Sequence, residues 1–141
     1  MLVIGAGGLG CPVALYLGSA GVGHLTLVDD DQIELANLQR QIAFEQSWLG
    51  DSKAERLAER VRAINPEITV NAVNRRVDGD DLKQLVAEST LVLDCTDNFN
   101  TRFALTRASV ANKVPLVSGA AIRGEGQLSV YDPRQADSPC Y

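Results

Sequence analysis

Short apolar segments alternate with amphipathic segments along the whole 141-residue chain. The apolar segments have the length of buried strands, and the amphipathic segments repeat their apolar residues with a helical period. The predicted strands span residues 2–5, 24–28, 68–73, 91–93, 114–117 and 127–131, and the predicted helices 12–20, 52–64, 80–88 and 99–112. This alternation predicts an α/β fold: a Rossmann-like, doubly wound, mostly parallel sheet with helices on both faces, in a single domain of residues 1–141. Only a short Gly-rich link precedes the last strand, so we expect it to be antiparallel to its neighbour.

The first predicted strand runs directly into a glycine-rich segment. Gly5 would permit the tight turn, Gly7 would let the backbone approach a phosphate, and Gly10 would allow close packing of helix on strand. The N-terminus of the following helix would offer free N–H groups to an anion. The segment is therefore a candidate nucleotide-binding loop, with Gly5, Gly7, Gly8 and Gly10 as its binding residues. A turn without a ligand would have the same sequence.

An acidic residue at the end of the second predicted strand supports nucleotide binding. Asp29 lies 19 positions beyond Gly10, a spacing that suits a carboxylate hydrogen-bonded to ribose hydroxyls. Asp30 and Asp31 are interpreted as solvated turn residues. The loop and Asp29 together do not distinguish ATP from a dinucleotide.

Two cations are candidates for phosphate contacts. Lys53 lies in the first turn of a predicted helix, where a positive charge opposes the helix dipole unless an anion is close. A solvated lysine is the simpler interpretation of Lys53 taken alone. Arg40 lies in a polar segment, and its guanidinium could hold phosphate oxygens in a bidentate fork or simply be a surface side chain.

Asp97 follows the fourth predicted strand and precedes a helix. Ligands of parallel α/β sheets gather beyond the carboxyl ends of the strands. A carboxylate there would repel a polyphosphate unless a magnesium ion lay between them, so Asp97 is a candidate magnesium ligand. The alternative is a helix N-cap, a common role of aspartate.

Composition and charge exclude several classes of function. The net charge of −5 argues against nucleic-acid binding, and no apolar run approaches the ~20 residues of a membrane span. The chain opens as a strand and not as a secretory signal, so we expect a cytoplasmic protein. Three widely spaced cysteines do not indicate a disulfide framework, and we expect Cys11 and Cys95 to be small buried residues.

Several segments, in order along nearly the whole chain, resemble the signature segments of the MoeB/ThiF/HesA adenylyltransferases and of ubiquitin-activating enzymes. These segments are Gly5–Cys11, Asn37–Gln41, Lys53, Asp94–Asn98 and Ser118–Arg123. The last of them is more similar to the MoeB branch, which acts in molybdopterin synthesis, than to the ThiF branch.

The resemblance implies ATP-dependent adenylation of the C-terminal glycine carboxylate of a ubiquitin-like sulfur-carrier protein, in molybdopterin or thiamine biosynthesis. It implies that Asp29 holds the ribose, that Asn37, Arg40 and Lys53 contact the phosphates, and that Asp97 binds Mg²⁺. Arg40, Lys53 and Asp97 would then be the catalytic residues. It also implies a homodimer and a carrier ending in Gly-Gly as the partner.

The resemblance also implies a structural Zn²⁺ site in a longer protein. Cys140 falls where the first of its paired cysteines begins, but a single thiolate cannot make a four-ligand zinc site. We expect the chain to be a fragment that lacks the family's N-terminal helix and its C-terminal zinc and carrier-docking part, and that binds no zinc itself.

Two alternatives to this function come from other classes. The glycine loop and Asp29 would also suit an NAD-dependent oxidoreductase, although such an enzyme has no evident use for Lys53 and Asp97. An inactive scaffold subunit of an activating-enzyme dimer is the other alternative. A scaffold could lose Arg40, Lys53 and Asp97 freely, so their joint presence argues against it.

Overall fold

The computed structural model describes residues 1–135 and 137–139 of the chain. Its elements in chain order are β1 (Leu2–Ile4), α1 (Gly10–Ser19), β2 (His24–Val28), α2 (Lys53–Ile64), β3 (Thr69–Val73), α3 (Gly79–Ala87), β4 (Val92–Asp94), α4 (Phe99–Asn112), β5 (Leu116–Ile122) and β6 (Glu125–Tyr131). Two single-turn 3₁₀ helices, Leu35–Asn37 and Gln46–Trp48, lie between β2 and α2.

The six strands form one sheet in the order β3-β2-β1-β4-β5-β6. The β2–β3 and β4–β5 pairs are parallel, and β6 pairs antiparallel with β5 along the full length of both strands. The prediction of a Rossmann-like, mostly parallel sheet is confirmed, as is the antiparallel last strand.

Two compact units make up the chain: one spans Val3–Arg76, and the other contains Met1–Leu2 and the chain from Val77 onward. In the Val3–Arg76 unit, α2 packs against α1 and its apolar residues Leu57 and Val61 are fully buried. Gly18 of α1 must be small, because a Cβ there would lie 2.6 Å from Cγ1 of Val61. Close packing of α1 on α2 therefore requires glycine near the C-terminal end of α1.

In the other unit, α3 packs against α4 around the buried side chains of Leu82, Val86 and Leu105. The β5–β6 hairpin turns at Arg123 and Gly124, which both have positive φ, 52° and 84°. A two-residue turn with this geometry matches the twist of an antiparallel pair.

Several element boundaries differ from the sequence prediction by one or more residues, among them the start of α1 and the end of β5. Helix α1 begins at Gly10, two residues before the predicted Pro12, because a proline in the first helical turn has no N–H to lose. Strand β5 continues from the predicted end at Val117 to Ile122, because the hairpin pairs these residues with β6. Within the described residues, no helix combines the length and the apolar character that crossing a bilayer requires.

Candidate functional site

The glycine loop connects β1 to α1 in the Val3–Arg76 unit. Gly5 has a φ of 97°, a conformation that favours glycine, and its N–H donates to the carbonyl of Val28 at 2.8 Å. No side chain of the described residues caps the start of α1 at Leu9, and its first turn carries no acidic residue. Cys11 donates its N–H to the carbonyl of Gly7 at 2.9 Å and Pro12 has no N–H, so the donors left for an anion are those of Gly10 and of the loop residues just before it.

Asp29 is fixed at the glycine loop, as its spacing predicts. Its Oδ2 accepts a hydrogen bond from the backbone N–H of Ala6 at 2.6 Å, and its Oδ1 accepts one from the N–H of Asp31 at 2.8 Å. Burial raises the pKa of this half-buried carboxyl, while the two backbone hydrogen bonds and Lys53 act in the opposite direction. Each carboxylate oxygen can accept a further bond, so the group is suited to hydroxyl donors.

Lys53 is buried, with only 5% of the residue exposed, so its interpretation as a solvated lysine is wrong. Its Nζ lies 2.7 Å from Oδ2 of Asp31, and its backbone N–H donates to the carbonyl of Asp31 at 3.1 Å. Asp31 is therefore ion-paired and not merely a solvated turn residue. The helix dipole indicated that Lys53 has an anion close by. In this structure the anion is the carboxylate of Asp31 and not a phosphate.

Arg40 is exposed and lies across the glycine loop. A Cβ on Gly8 would lie 3.4 Å from Cγ and 3.5 Å from Cδ of Arg40. One guanidinium nitrogen, Nη1, donates to the carbonyl of Ala36 at 3.3 Å. Arg40 has no acidic partner in the part of the chain that the structure describes, which leaves most of its donors available to a ligand.

Asn37 shapes the turn that carries Arg40. Its Oδ1 accepts a hydrogen bond from the N–H of Glu34 at 3.3 Å. Its carbonyl accepts from the N–H groups of Arg40 and Gln41 at 3.1 and 3.0 Å. A role in holding this turn is therefore visible for Asn37, and a phosphate contact remains a prediction.

Two buried side chains, Gln41 and Cys11, also lie at the glycine loop, and the sequence did not single them out for a role there. Gln41 is 3% exposed, and its Nε2 lies 3.8 Å from the position of a Cβ on Gly7. The thiol of Cys11 donates to the carbonyl of Ala6 at 3.3 Å. Burial raises the pKa of Cys11 to about 12, although the nearby backbone of Ala43 acts to lower it, so the thiol is neutral and is not a nucleophile. The prediction that Cys11 is buried is confirmed, whereas Cys95 is only half-buried.

Asp97 belongs to the other compact unit, between β4 and α4, and it is exposed. The N-cap of α4 is Asn98, whose Oδ1 accepts from the N–H groups of Asn100 and Thr101 at 2.9 and 3.3 Å. The alternative interpretation of Asp97 as the cap is therefore wrong. Among the described residues its carboxylate has no hydrogen bond or ion pair, and its role as a magnesium ligand remains a prediction.

A buried polar network, which no sequence pattern predicted, holds the segment that leads to Asp97. Asp94 is 1% exposed and accepts hydrogen bonds from Thr96 Oγ1 at 2.7 Å and from Ser118 Oγ at 2.9 Å. Arg102 Nη2 donates to the carbonyls of Thr96 and Gly119 at 2.5 and 2.8 Å. The network fixes the backbone that leads to Asp97. An Asp–x–Thr at a strand end indicates the local turn, but nothing in the sequence indicates the distant partners.

The candidate residues fall into three groups by location. The glycines, Asp29, Asn37, Arg40 and Lys53 all lie in the Val3–Arg76 unit, where Asp29 and Arg40 contact the loop and Lys53 is joined to Asp29 through Asp31. Asp97 lies in the other unit, and Cys140 lies outside the described residues.

Known proteins resemble the chain in sequence and in structure. The ThiF family model matches residues 1–141. The molybdopterin-synthase adenylyltransferase of Salmonella typhimurium is 48% identical over 141 residues, which cover 100% of this chain and 56% of that protein. The sulfur carrier protein ThiS adenylyltransferase of Escherichia coli is 46% identical over 133 residues, covering 94% of this chain and 53% of that protein.

The fold agrees with these matches. A crystal structure of Escherichia coli MccB with ATP matches with a TM-score of 0.88 and 28% identity, over 99% of this chain and 42% of that one. The chain spans about half the length of the curated relatives it matches. Its match to the family model over every residue and its identity to these relatives show that the chain belongs to the ThiF family.

Proposed function

We propose that the protein uses ATP to adenylate the C-terminal glycine carboxylate of a ubiquitin-like sulfur-carrier protein, with release of pyrophosphate. Its relatives support the reaction, because they are named as adenylyltransferases and one of them is named for the sulfur carrier ThiS. ATP in the similar MccB structure supports the choice of nucleotide. An NAD-dependent oxidoreductase and an inactive scaffold gain no support from these relatives.

The observation that carries the proposal is the set of charges around one glycine loop. Asp29 accepts a hydrogen bond from Ala6 of the loop, and Arg40 lies against Gly8. Lys53 joins them through Asp31, whose N–H is bonded to Asp29. One acidic group suited to ribose hydroxyls and two cations suited to phosphates are what a nucleotide with a phosphate chain requires.

The reaction needs no side-chain nucleophile, because the carrier's own carboxylate attacks the α-phosphorus of ATP. The bond from that phosphorus to the bridging oxygen breaks, and pyrophosphate leaves with the electron pair. In this proposal Asp29 orients the ribose, while Asn37, Arg40 and Lys53 hold the phosphates and stabilise their growing negative charge. The neutral, buried Cys11 takes no part in the chemistry.

Mg²⁺ would neutralise phosphate charge in this reaction, and Asp97 fits the role of its one protein ligand. Its carboxylate is exposed and unpaired among the described residues, and Mg²⁺ bound with a nucleotide takes its remaining ligands from phosphates and water. We propose a zinc site only for a longer protein, in which Cys140 would be one of its ligands. A homodimer in the cytoplasm, acting in molybdopterin or thiamine biosynthesis, completes the proposal.

Thermal unfolding with ligands tests the choice of nucleotide. We expect ATP with Mg²⁺ to raise the Tm of the intact protein and NAD to leave it unchanged, because binding to the native state alone stabilises it. Arg40→Ala should reduce the shift. Lys83→Ala is the matched control, since Lys83 is an exposed lysine paired with Asp80 on α3. Stabilisation by NAD and not by ATP would contradict the proposal.

A further inference from the structure

We propose that Asp31 is a placeholder anion for Lys53. It neutralises the buried ammonium while no nucleotide is bound, and it gives up this contact to a phosphate oxygen when a nucleotide binds. The inference rests on the proposed function and adds to it a residue that controls how tightly phosphate is held.

Lys53 needs an anion whether or not a nucleotide is present. Only 7% of its side chain is exposed, and a buried ammonium without a partner is strongly unfavourable. Its position in the first turn of α2 adds the positive end of the helix dipole to its own charge. Asp31, at 2.7 Å, provides the compensating charge.

The surroundings of Asp31 allow its side chain to leave Lys53 while its backbone stays in place. Its backbone is fixed, because its N–H is bonded to Asp29 and its carbonyl accepts from the N–H of Lys53. Its side chain, in contrast, is 67% exposed. The carboxylate can turn into water by changing its rotamer, at little cost in packing or hydration.

Electrostatic repulsion favours replacement of Asp31 by a phosphate at Lys53 over contact of both anions with Lys53 at once. The carboxylates of Asp29, Asp30 and Asp31 offer oxygen atoms within 4.8 Å of one another, so this end of the loop is already negative. A phosphate that reached Lys53 with Asp31 still in place would stand beside these charges. If Asp31 instead remained in place to orient Lys53, its removal would weaken nucleotide binding. Removal of the Asp31 carboxylate should therefore strengthen ATP binding if Asp31 is a placeholder and weaken it if Asp31 orients Lys53.

Calorimetric titration of the intact protein with ATP in the presence of EDTA tests the sign. Asp31→Asn should bind ATP at least about threefold more tightly than the wild type, because a competing charge is removed. Adenosine, which has no phosphate, should bind both proteins equally. Asp30→Asn is the matched control, since it removes the same charge from the next residue without touching Lys53, and its gain should be smaller and should vanish at high salt.

Unfolding without ligand provides a second readout. Asp31→Asn should lower the Tm more than Asp30→Asn does, because Lys53 loses its partner, and saturating ATP should narrow the difference. In a Lys53→Met background, Asp31→Asn should cost no stability.

Equal or weaker binding of ATP by Asp31→Asn would overturn the inference while leaving the proposed function intact. Failure of the wild type to bind either ATP or adenosine would instead overturn the proposed function.

Discussion

Gln41 is a buried residue whose side-chain amide oxygen does not contribute to the stability of the fold. It is 3% exposed, and its Oε1 has no hydrogen-bond partner in the described part of the chain. Its backbone is satisfied, with its N–H bonded to Asn37 and its carbonyl to Phe44. An unpaired buried acceptor costs about 1–3 kcal/mol, so an apolar side chain of the same shape would make the unit more stable.

We predict that Gln41→Met raises the free energy of unfolding by about 1 kcal/mol or more, because it removes the unpaired oxygen while keeping the length of the side chain. Urea denaturation measures the change. Gln39→Met is the control at an exposed position and should change stability by less than about 0.5 kcal/mol. A loss of stability in Gln41→Met would show that the amide oxygen is in fact hydrogen-bonded in solution.

The sequence alone predicted part of the residue-scale picture. Helix-dipole reasoning gave an anion beside Lys53 as one of two interpretations, the other being a solvated lysine, and the spacing from Gly10 placed Asp29 at the loop. It could not show that Asp31 is the anion, because the two residues are 22 positions apart. They meet through an isolated backbone bridge between Gln32 and Ser52, which no local pattern indicates.

At the scale of elements, the start of α4 separates two roles that the sequence left open. Asn98 makes the cap hydrogen bonds, and Asp97 makes none among the described residues. We predict that Asn98→Ala lowers the free energy of unfolding by about 1 kcal/mol, as the loss of a cap does. Asp97→Ala should change it by less than about 0.5 kcal/mol.

Denaturant unfolding of the two variants side by side checks this prediction. Both lie in the same turn and both lose a short polar side chain, so each is a control for the other. A larger loss in Asp97→Ala than in Asn98→Ala would assign Asp97 a structural role and weaken its case as a metal ligand.

The bounds of the elements show what local sequence does and does not determine. The predicted bounds of β2 and α4 match the structure, because their apolar patterns and their punctuating residues agree. Strand β5 was predicted too short, because Ser118-Gly119-Ala120-Ala121 has low strand propensity. Pairing with β6 overrides that propensity.

At the scale of the whole molecule, the proposed function draws on groups from different parts of the chain. Asp29, Arg40 and Lys53 lie in the Val3–Arg76 unit, and Asp97 lies in the other unit. Periodicity predicted the fold, because a strand–helix alternation of this kind has few solutions. The choice of ATP over a dinucleotide came from the resemblance and from individual charged residues.

Carrier-dependent exchange of pyrophosphate into ATP by the intact protein is the most direct test of the proposed adenylation. We expect exchange only with a sulfur carrier ending in Gly-Gly, reduced about 100-fold or more in Lys53→Ala and Asp97→Ala and unchanged in Lys83→Ala. Exchange that persists at the wild-type rate in Lys53→Ala and Asp97→Ala would contradict the roles given to these residues. Its absence with every such carrier would contradict the adenylation itself.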